Sequence, residues 1–361
     1  KQAPGPLEQG LTETRGLRPP NRRFAVPMVT VRPGKTEGLN DAQSIGSRMP
    51  RSWWPDSTNE LSGKPGAIRF SLRVSGGGST STTIMRVIDQ DAIKRHGSVR
   101  FRSEYHYAVF EYWRSAKVLA YMHRSGIDQL GRVLDDGCGG GGMSVSFAEE
   151  ADAVVGIDLS DRFAHAGTKL AEERQVTNIR FIQADGSRLP FSTDDFNLVF
   201  SHAVIEHVAD PGSYLREARR VLRHGGRMFL QTAPYLSPSG VHLPRLRVPV
   251  PLYLLIGRSA AFRVSCWLAS HAPGSLQASH DDSAILAKAR RGEANVDDLT
   301  YLVTLQNLRG HIADAGFTIV REDLEISKLA RRVLPEWLVN QIPSIPLGRD
   351  VLITNMEYLL A

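Results

Sequence analysis

The stretch from Arg132 to Asp158 constrains the fold more than any other part of this chain. It opens as a short apolar strand ending in Asp135-Asp136 and runs into Gly137-Cys138-Gly139-Gly140-Gly141-Gly142. A helix-forming segment, a second apolar strand and a terminal acid follow. Strands joined in this way pair in parallel, because a parallel pair needs a crossover, usually a helix. Gly137, Gly139 and Gly141 let the backbone turn sharply and approach a ligand where a Cβ would stand in the way. The helix that follows turns its free N–H groups toward that turn. Asp158 lies 21 residues beyond Gly137, at the end of the second strand, where a carboxylate can accept both hydroxyls of a ribose.

The turn alone leaves two kinds of ligand open. Gly137, Gly139 and Gly142 also satisfy G-x-G-x-x-G, so a nicotinamide or flavin dinucleotide competes with S-adenosylmethionine. Downstream residues separate them. The pattern predicts strands at Arg132–Asp136, Ala153–Asp158, Ile179–Gln183, Phe196–Phe200 and Arg227–Thr232, with helices between them. Ser160 is the expected cap of one helix. Asp210-Pro211 is an N-cap with Pro at the first helical position, and Gly225-Gly226 stops that helix. Leu302, Leu305, Leu308 and Ile312 mark a later helix ended by Gly316, before strands at Phe317–Leu324 and Val351–Leu359. Such alternation gives an α/β fold with a doubly wound, mostly parallel sheet. In that architecture ligands sit at the carboxyl ends of the strands. Here those ends carry Gly137–Gly141, Asp158, Asp185-Gly186 and Ser201-His202. Asp185 can accept from an adenine amino group, and Gly186 leaves its N–H open to a ring nitrogen.

These residues resemble a known family. Leu134-Asp135-Asp136-Gly137-Cys138-Gly139-Gly140-Gly141 and Gly156-Ile157-Asp158-Leu159-Ser160 look like the first two motifs of class I S-adenosylmethionine-dependent methyltransferases, of the type 11-like group. Ala184-Asp185-Gly186, Leu189-Pro190-Phe191, Phe196-Asn197-Leu198-Val199, Glu206-His207-Val208 and Leu222-Arg223-His224-Gly225-Gly226 continue in the same order, and Ala315-Gly316-Phe317 fits before the last strands. The resemblance implies sheet order 3-2-1-4-5-7-6 with an antiparallel seventh strand; the broken strand–helix rhythm over 234–296 itself reads as an insertion after strand 5. It implies S-adenosylmethionine as cofactor. The methionine end falls to the glycine loop with Asp135, Gly137, Cys138, Gly139 and Gly141. Ribose falls to Asp158, with Leu159 beside it, and adenine to Asp185 and Gly186. Ser201 and His202 fall nearest the sulfonium. Two positions depart from the pattern. Asp136 stands where an apolar residue is usual, so its carboxylate must find water or a partner. Asn197 stands where an Asp is common.

Charge and composition narrow the function further. Residues 1–84 hold 12 Lys and Arg against 6 Asp and Glu, which is the whole of the net charge of +6. Residues 85–361 therefore balance, so no global basic field steers this part to nucleic acid. The Asn/Asp-Pro-Pro-Tyr/Phe motif of amino-methylating DNA enzymes is also absent. Residues 1–84 also hold 9 of the 20 prolines and little apolar periodicity, which reads as a disordered Pro/Gly/Ser-rich tail. Trp53-Trp54 stands out in it, and Met85 opens the patterned region. The expected organisation is an N-terminal helical cap over 85–130, a cofactor-binding core over 131–233, an acceptor-side insertion over 234–296, and a C-terminal helix and strands over 297–361. Ser103 is a plausible cap for the aromatic-rich helix 104–124, whose stripe reads as a core face able to cover the cofactor edge. Two cysteines, Cys138 and Cys266, make no disulfide framework, and no apolar run reaches membrane-spanning length, so a cytoplasmic location is expected. No metal-ligand spacing is visible, and no metal is expected.

The sulfonium is an activated methyl donor, so the protein's task is to place an acceptor in line with it and exclude water. An oxygen acceptor of high pKa also needs a general base, and a carboxylate does not. His202, just past the fourth strand, is the first candidate. His207, beside Glu206 on a helical turn, and His242 in the insertion follow. The insertion begins Tyr235-Leu236-Ser237-Pro238-Ser239-Gly240-Val241-His242-Leu243, similar to a stretch in some bacterial methyltransferases of this superfamily. Arg245, Arg247, Arg258 and Arg263 interleave with its apolar residues. The expected acceptor is a small molecule, a saccharide or a lipid-linked molecule, with peripheral membrane contact through this insertion. The competing readings are an NAD(P)-dependent oxidoreductase and a non-catalytic module that retains the fold.

Overall fold

The computed structural model describes residues 88–243, 252–272, 300–346 and 348–361. Its centre is one seven-stranded sheet in the order β3-β2-β1-β4-β5-β7-β6. The strands are β1 (Arg132–Asp136), β2 (Ala153–Asp158), β3 (Ile179–Gln183), β4 (Phe196–His202), β5 (Leu222–Thr232), β6 (Ile319–Ile326) and β7 (Ile353–Leu360). β1 to β5 pair in parallel, and β7 runs antiparallel between β5 and β6. That antiparallel insertion separates the sheet from the dinucleotide-binding order 3-2-1-4-5-6 and weighs against the oxidoreductase reading.

Successive strand residues point to opposite faces, and the core divides accordingly. Val133, Val154, Leu198, Phe200 and Phe229 join one apolar cluster, with Tyr112, Leu119 and Phe147 from α2 (Glu104–Arg124) and α3 (Gly142–Ala148). Leu134, Val155, Val199, Met228 and Leu230 join the other, with Leu215 of α5 (Pro211–Val221) and Leu308 of the helix Leu305–Asp314. The seam between α2 and α3 is close: a Cβ on Gly142 would stand 2.0 Å from the Ala108 carbonyl oxygen.

The helix ends follow local chemistry. Asp89 caps α1 (Gln90–Val99), Ser103 caps α2 and Asp210 caps α5. Thr304 and Asn307 form a reciprocal capping box on Leu305–Asp314. Ser160 does not cap a helix. A short 3₁₀ turn, Arg162–Ala164, comes first, and α4 (Ala166–Glu173) starts after it without a side-chain cap. Gly225-Gly226 is not a helix stop either. The helix ends at Val221, and the glycines bulge within β5, whose pairing shifts between Phe196 and Leu198 of β4. The last two strands begin about two residues later than the pattern suggests, since Phe317 still packs in the core after α5's neighbour and a helical turn Arg349–Leu352 precedes β7. Asn197 is structural: its Oδ1 accepts from Arg132 N at 3.0 Å and Arg223 Nη1 at 3.2 Å.

Two helices of the insertion are described, α6 (Leu252–Ile256) and α7 (Arg258–His271). Val241, Leu243, Tyr253, Ala261 and Phe262 bury a small apolar cluster of their own. The tail 1–84 with Trp53-Trp54, Met85, and Arg245 and Arg247 of the insertion lie outside the described residues. Among those described, no helix is long and apolar enough to cross a membrane.

Candidate active site

The carboxyl ends of β1, β2 and β4, with the loop after β3, open into a cavity of about 460 Å³. Asp135 to Gly140, Asp158, Leu159, Asp185, Gly186 and His202 line it, as do Tyr107, Glu111 and Arg114 of α2. The turn is built from its own backbone. Gly137 N and Cys138 N both donate to Ile157 O at 2.8 Å, and Gly139 N donates to Asp158 Oδ2 at 2.9 Å. At Gly137 the φ is +92°, and a Cβ would stand 2.2 Å from Val204 Cγ2, so no other residue fits this approach. Asp158 Oδ1 accepts from Ser160 N and Ser160 Oγ, both at 2.8 Å. Ser160 thus fixes the carboxylate expected to meet the ribose, which explains why it is absent from the next helix. A carboxylate has about four acceptor sites, so capacity for a ligand hydroxyl remains.

The floor of the cavity is acidic. Asp135 and Asp136 are both 2% exposed. Burial pushes the Asp135 carboxyl up to about 7, against a hydrogen bond from Ser144 and with Asp158 and Glu111 adding to the rise. Burial pushes Asp136 further, to about 8, opposed by Tyr214 and reinforced by Asp135, Asp185 and Asp158. Asp136 Oδ2 has no hydrogen-bond partner among the described residues. Gly186 is held small by its neighbours: a Cβ there would meet Asp136 Oδ1 at 2.4 Å and Tyr214 Cε2 at 2.6 Å. An acidic floor with an unpartnered oxygen fits a cationic ligand, and the amino and sulfonium groups of S-adenosylmethionine are both cationic.

Other expected residues fall in place with different roles. Cys138 is a free thiol in the cavity wall, and burial with the surrounding carboxylates holds it well above its ordinary pKa, so it stays protonated. Leu159 is 65% exposed at the cavity lip, where an apolar ligand face could pack on it. Asp185 Oδ1 accepts from Ser187 N at 2.8 Å, so one oxygen shapes its own turn. Ser201 is fully buried and does not line the cavity. It accepts from the Tyr214 hydroxyl at 2.8 Å, and Tyr214 is the one that lines the wall. This corrects the expectation of direct cofactor contact by Ser201: β4 points it into the core.

A second cavity, of about 1070 Å³, adjoins the first. Its described walls include Val241, Leu243, Leu252, Tyr253 and Leu254 of the insertion, Lys117 and Val118 of α2, and Glu325, Lys328, Leu329, Asn355 and Glu357 from the C-terminal part. Arg114, His202, Ala203 and His242 line both cavities. Arg114 Nη2 lies 3.4 Å from His202 Nε2 and 2.9 Å from Glu111 Oε2. Burial, then the Arg114 charge, holds His202 well below its ordinary pKa, so the ring is neutral at pH 7. Buried Glu111 Oε1 and Arg114 Nε have no hydrogen-bond partner among the described residues. Tyr107, Glu111 and Arg114 escaped the sequence reading, which weighed only the aromatic stripe. Their spacing of four and three residues along one helix face was the available signal. His207 lies in the first cavity, on the 3₁₀ turn Ile205–His207.

Residues 134–230 match the family described as a methyltransferase domain, and the chain carries a class I S-adenosylmethionine-dependent methyltransferase domain. It is 32% identical over 123 residues to an uncharacterized methyltransferase, YcgJ, of Bacillus subtilis, covering 33% of this chain and 49% of that one. It is 40% identical over 101 residues to a ubiquinone biosynthesis O-methyltransferase of Caulobacter vibrioides, covering 28% of this chain and 40% of that one. The chain therefore spans about half or less of these relatives. The crystal structure of YcgJ superposes with a TM-score of 0.39 at 17% identity, over 67% of this chain and 95% of that one.

Proposed function

We propose that this chain transfers a methyl group from S-adenosylmethionine to an acceptor held in the second cavity. The meeting of the two cavities at Arg114, His202, Ala203 and His242 carries this reading, because a methyl group passes only between donor and acceptor atoms brought into direct, in-line contact. Asp158 would hold the ribose. Leu159, Asp185 and Gly186 would take the adenine, and the glycine turn with Asp135 and Asp136 the methionine end. Bound there, the cofactor supplies an activated methyl. The residues' task is then to orient it, exclude water and receive the acceptor's proton where one is lost. Neutral His202 is the candidate for that proton or for a hydrogen bond to the acceptor, with His207 the alternative.

The acceptor is proposed to be small, saccharide or lipid-linked, and the second cavity favours an amphipathic molecule. Apolar Val241, Leu243, Leu252 and Leu254 line it together with cationic Arg114, Lys117 and Lys328 and acidic Glu206, Glu325 and Glu357. Leu255 and Leu329, 71% and 66% exposed, supply an apolar surface near its edge for a peripheral membrane contact. Similarity to an O-methyltransferase supports an oxygen acceptor.

The test uses labelled S-adenosylmethionine with fractionated cell extract, reading whether label enters lipid, glycan, protein or small molecules. Calorimetry against S-adenosylhomocysteine and NAD accompanies it. Preference for NAD, or no binding of the sulfur ligand, overturns the assignment. His202→Gln should lose turnover while cofactor affinity stays; full activity removes His202 from the chemistry.

A further inference from the structure

Between the two cavities, side chains distant in sequence converge in a way that methyl transfer does not require. Glu206, His207 and His242 each offer one ligand atom, and these atoms all lie within 4.8 Å of one another. Glu206 lines the acceptor cavity, His207 the cofactor cavity, and His242 both. Glu206 Oε1 lies 4.0 Å from His242 Nε2, and the two imidazole rings meet edge to face with centroids 4.9 Å apart.

The support around this group is that of an organised ligand set. Glu206 is 3% exposed, and its other oxygen, Oε2, accepts from Thr232 Oγ1 at 2.7 Å. A hydrogen-bonded carboxylate with one oxygen directed to its partners is the usual outer support of a metal ligand. The Glu206 carbonyl accepts from Tyr301 N at 2.7 Å, which fixes the turn. His242 adopts a φ of +50°, in the left-handed region that histidine visits more readily than most side chains. Arg258 Nη2 reaches the Val241 carbonyl at 3.4 Å and Thr300 Oγ1 at 3.1 Å, and its guanidinium lies 3.9 Å from the Tyr235 ring centroid.

We propose that Glu206, His207 and His242 form a binding site for a divalent transition-metal cation, with positions left open toward the acceptor cavity. One carboxylate and two imidazoles suit zinc, manganese or ferrous iron better than calcium or magnesium. At ligand bonds of roughly 2.0–2.2 Å the donor atoms stand about 3.4 Å apart in a tetrahedral set, so closure needs a movement of about 1 Å in side chains. Oxygen atoms of the acceptor would complete the coordination. That last step rests on the methyltransferase reading; the cation site does not. No metal-ligand spacing is visible along the chain because the third ligand comes from the insertion, 35 residues beyond His207.

The experiment uses the full chain, stripped with chelator and titrated calorimetrically with zinc and manganese, with cobalt as a spectroscopic probe. No methyl donor or acceptor is present, so failure here leaves the methyltransferase reading standing. One ion per chain is expected, with affinity reduced at least tenfold in His207→Ala and in His242→Ala and unchanged in His311→Ala, a histidine outside both cavities. The visible bands of bound cobalt should weaken or shift in the first two variants alone. Glu206→Asp tests the carboxylate without removing its charge and should also lower affinity. No binding by the wild-type chain, or binding that survives both histidine substitutions, overturns the site.

Discussion

Asp136→Asn should stabilise this protein, and by an amount that grows with pH. The carboxyl is 2% exposed, its Oδ2 lacks a partner among the described residues, and three other aspartates surround it. Its folded pKa stands at about 8 against an ordinary 3.8. A raised folded value means that the folded chain holds a proton the unfolded chain gives up between those two pH values. The protonated group's contribution is fully present below 3.8 and is lost as the pH rises through 8. At about 1.36 kcal/mol per pH unit, the loss reaches roughly 5 kcal/mol at pH 7.5 if the whole shift is realised, and about 2 kcal/mol at pH 5. Asparagine keeps the shape and does not ionise, so it escapes this loss. Urea unfolding followed by circular dichroism at pH 5 and pH 7.5 should show the variant's advantage widen by up to about 3 kcal/mol, a midpoint shift on the order of 1 M. A gap that stays flat or narrows between those pH values refutes the reasoning, whatever its absolute size.

The same acids should tie cofactor affinity to pH. A cationic ligand lowers both carboxyls, now at about 7 and about 8, so S-adenosylmethionine should bind with proton release and more tightly at pH 8 than at pH 6. Calorimetry in two buffers of different ionisation enthalpy reads this directly, and equal apparent enthalpies would count against it. Asp158→Ala should weaken cofactor binding about 10- to 100-fold, through the loss of charge-assisted hydrogen bonds of about 1.5–3 kcal/mol each at most. Unchanged affinity would show that the ribose lies elsewhere. Gly142→Ala should destabilise the chain by about 3 kcal/mol, because the new Cβ falls 2.0 Å from a backbone oxygen that a side-chain rotation cannot move. A thermal melt within 1–2 °C of wild type would show that α2 shifts freely.

Part of this architecture is legible in the sequence alone. The positions of β1, β2 and β3 followed from apolar runs bounded by glycine and acid, because a buried parallel strand needs little but its own side chains and its turn. Asp158, Asp185 and the turn glycines were legible for the same reason: each stands at a fixed offset from a strand end. Ser160 and Gly225-Gly226 misled because both are also common helix punctuation. Ser160 instead secures Asp158, and the glycines make a bulge. Ser201 misled by one step of the strand period, which turns it into the core and leaves His202 in the cavities.

The sequence by itself determined the strand–turn–helix grammar, and with it the class of fold and the place of the candidate site at the strand ends, because backbone conformation and burial pattern are local quantities. Only the tertiary structure decided what surrounds the site. It placed Tyr107, Glu111 and Arg114 over the turn, set Asp136 against Gly186 without a partner for one oxygen, and brought His242 to Glu206 and His207. The spacing of the three α2 residues on one helix face is local, but their place in the cavity wall is not; that place and the other two arrangements depend on packing between elements far apart along the chain, which no spacing in the sequence encodes.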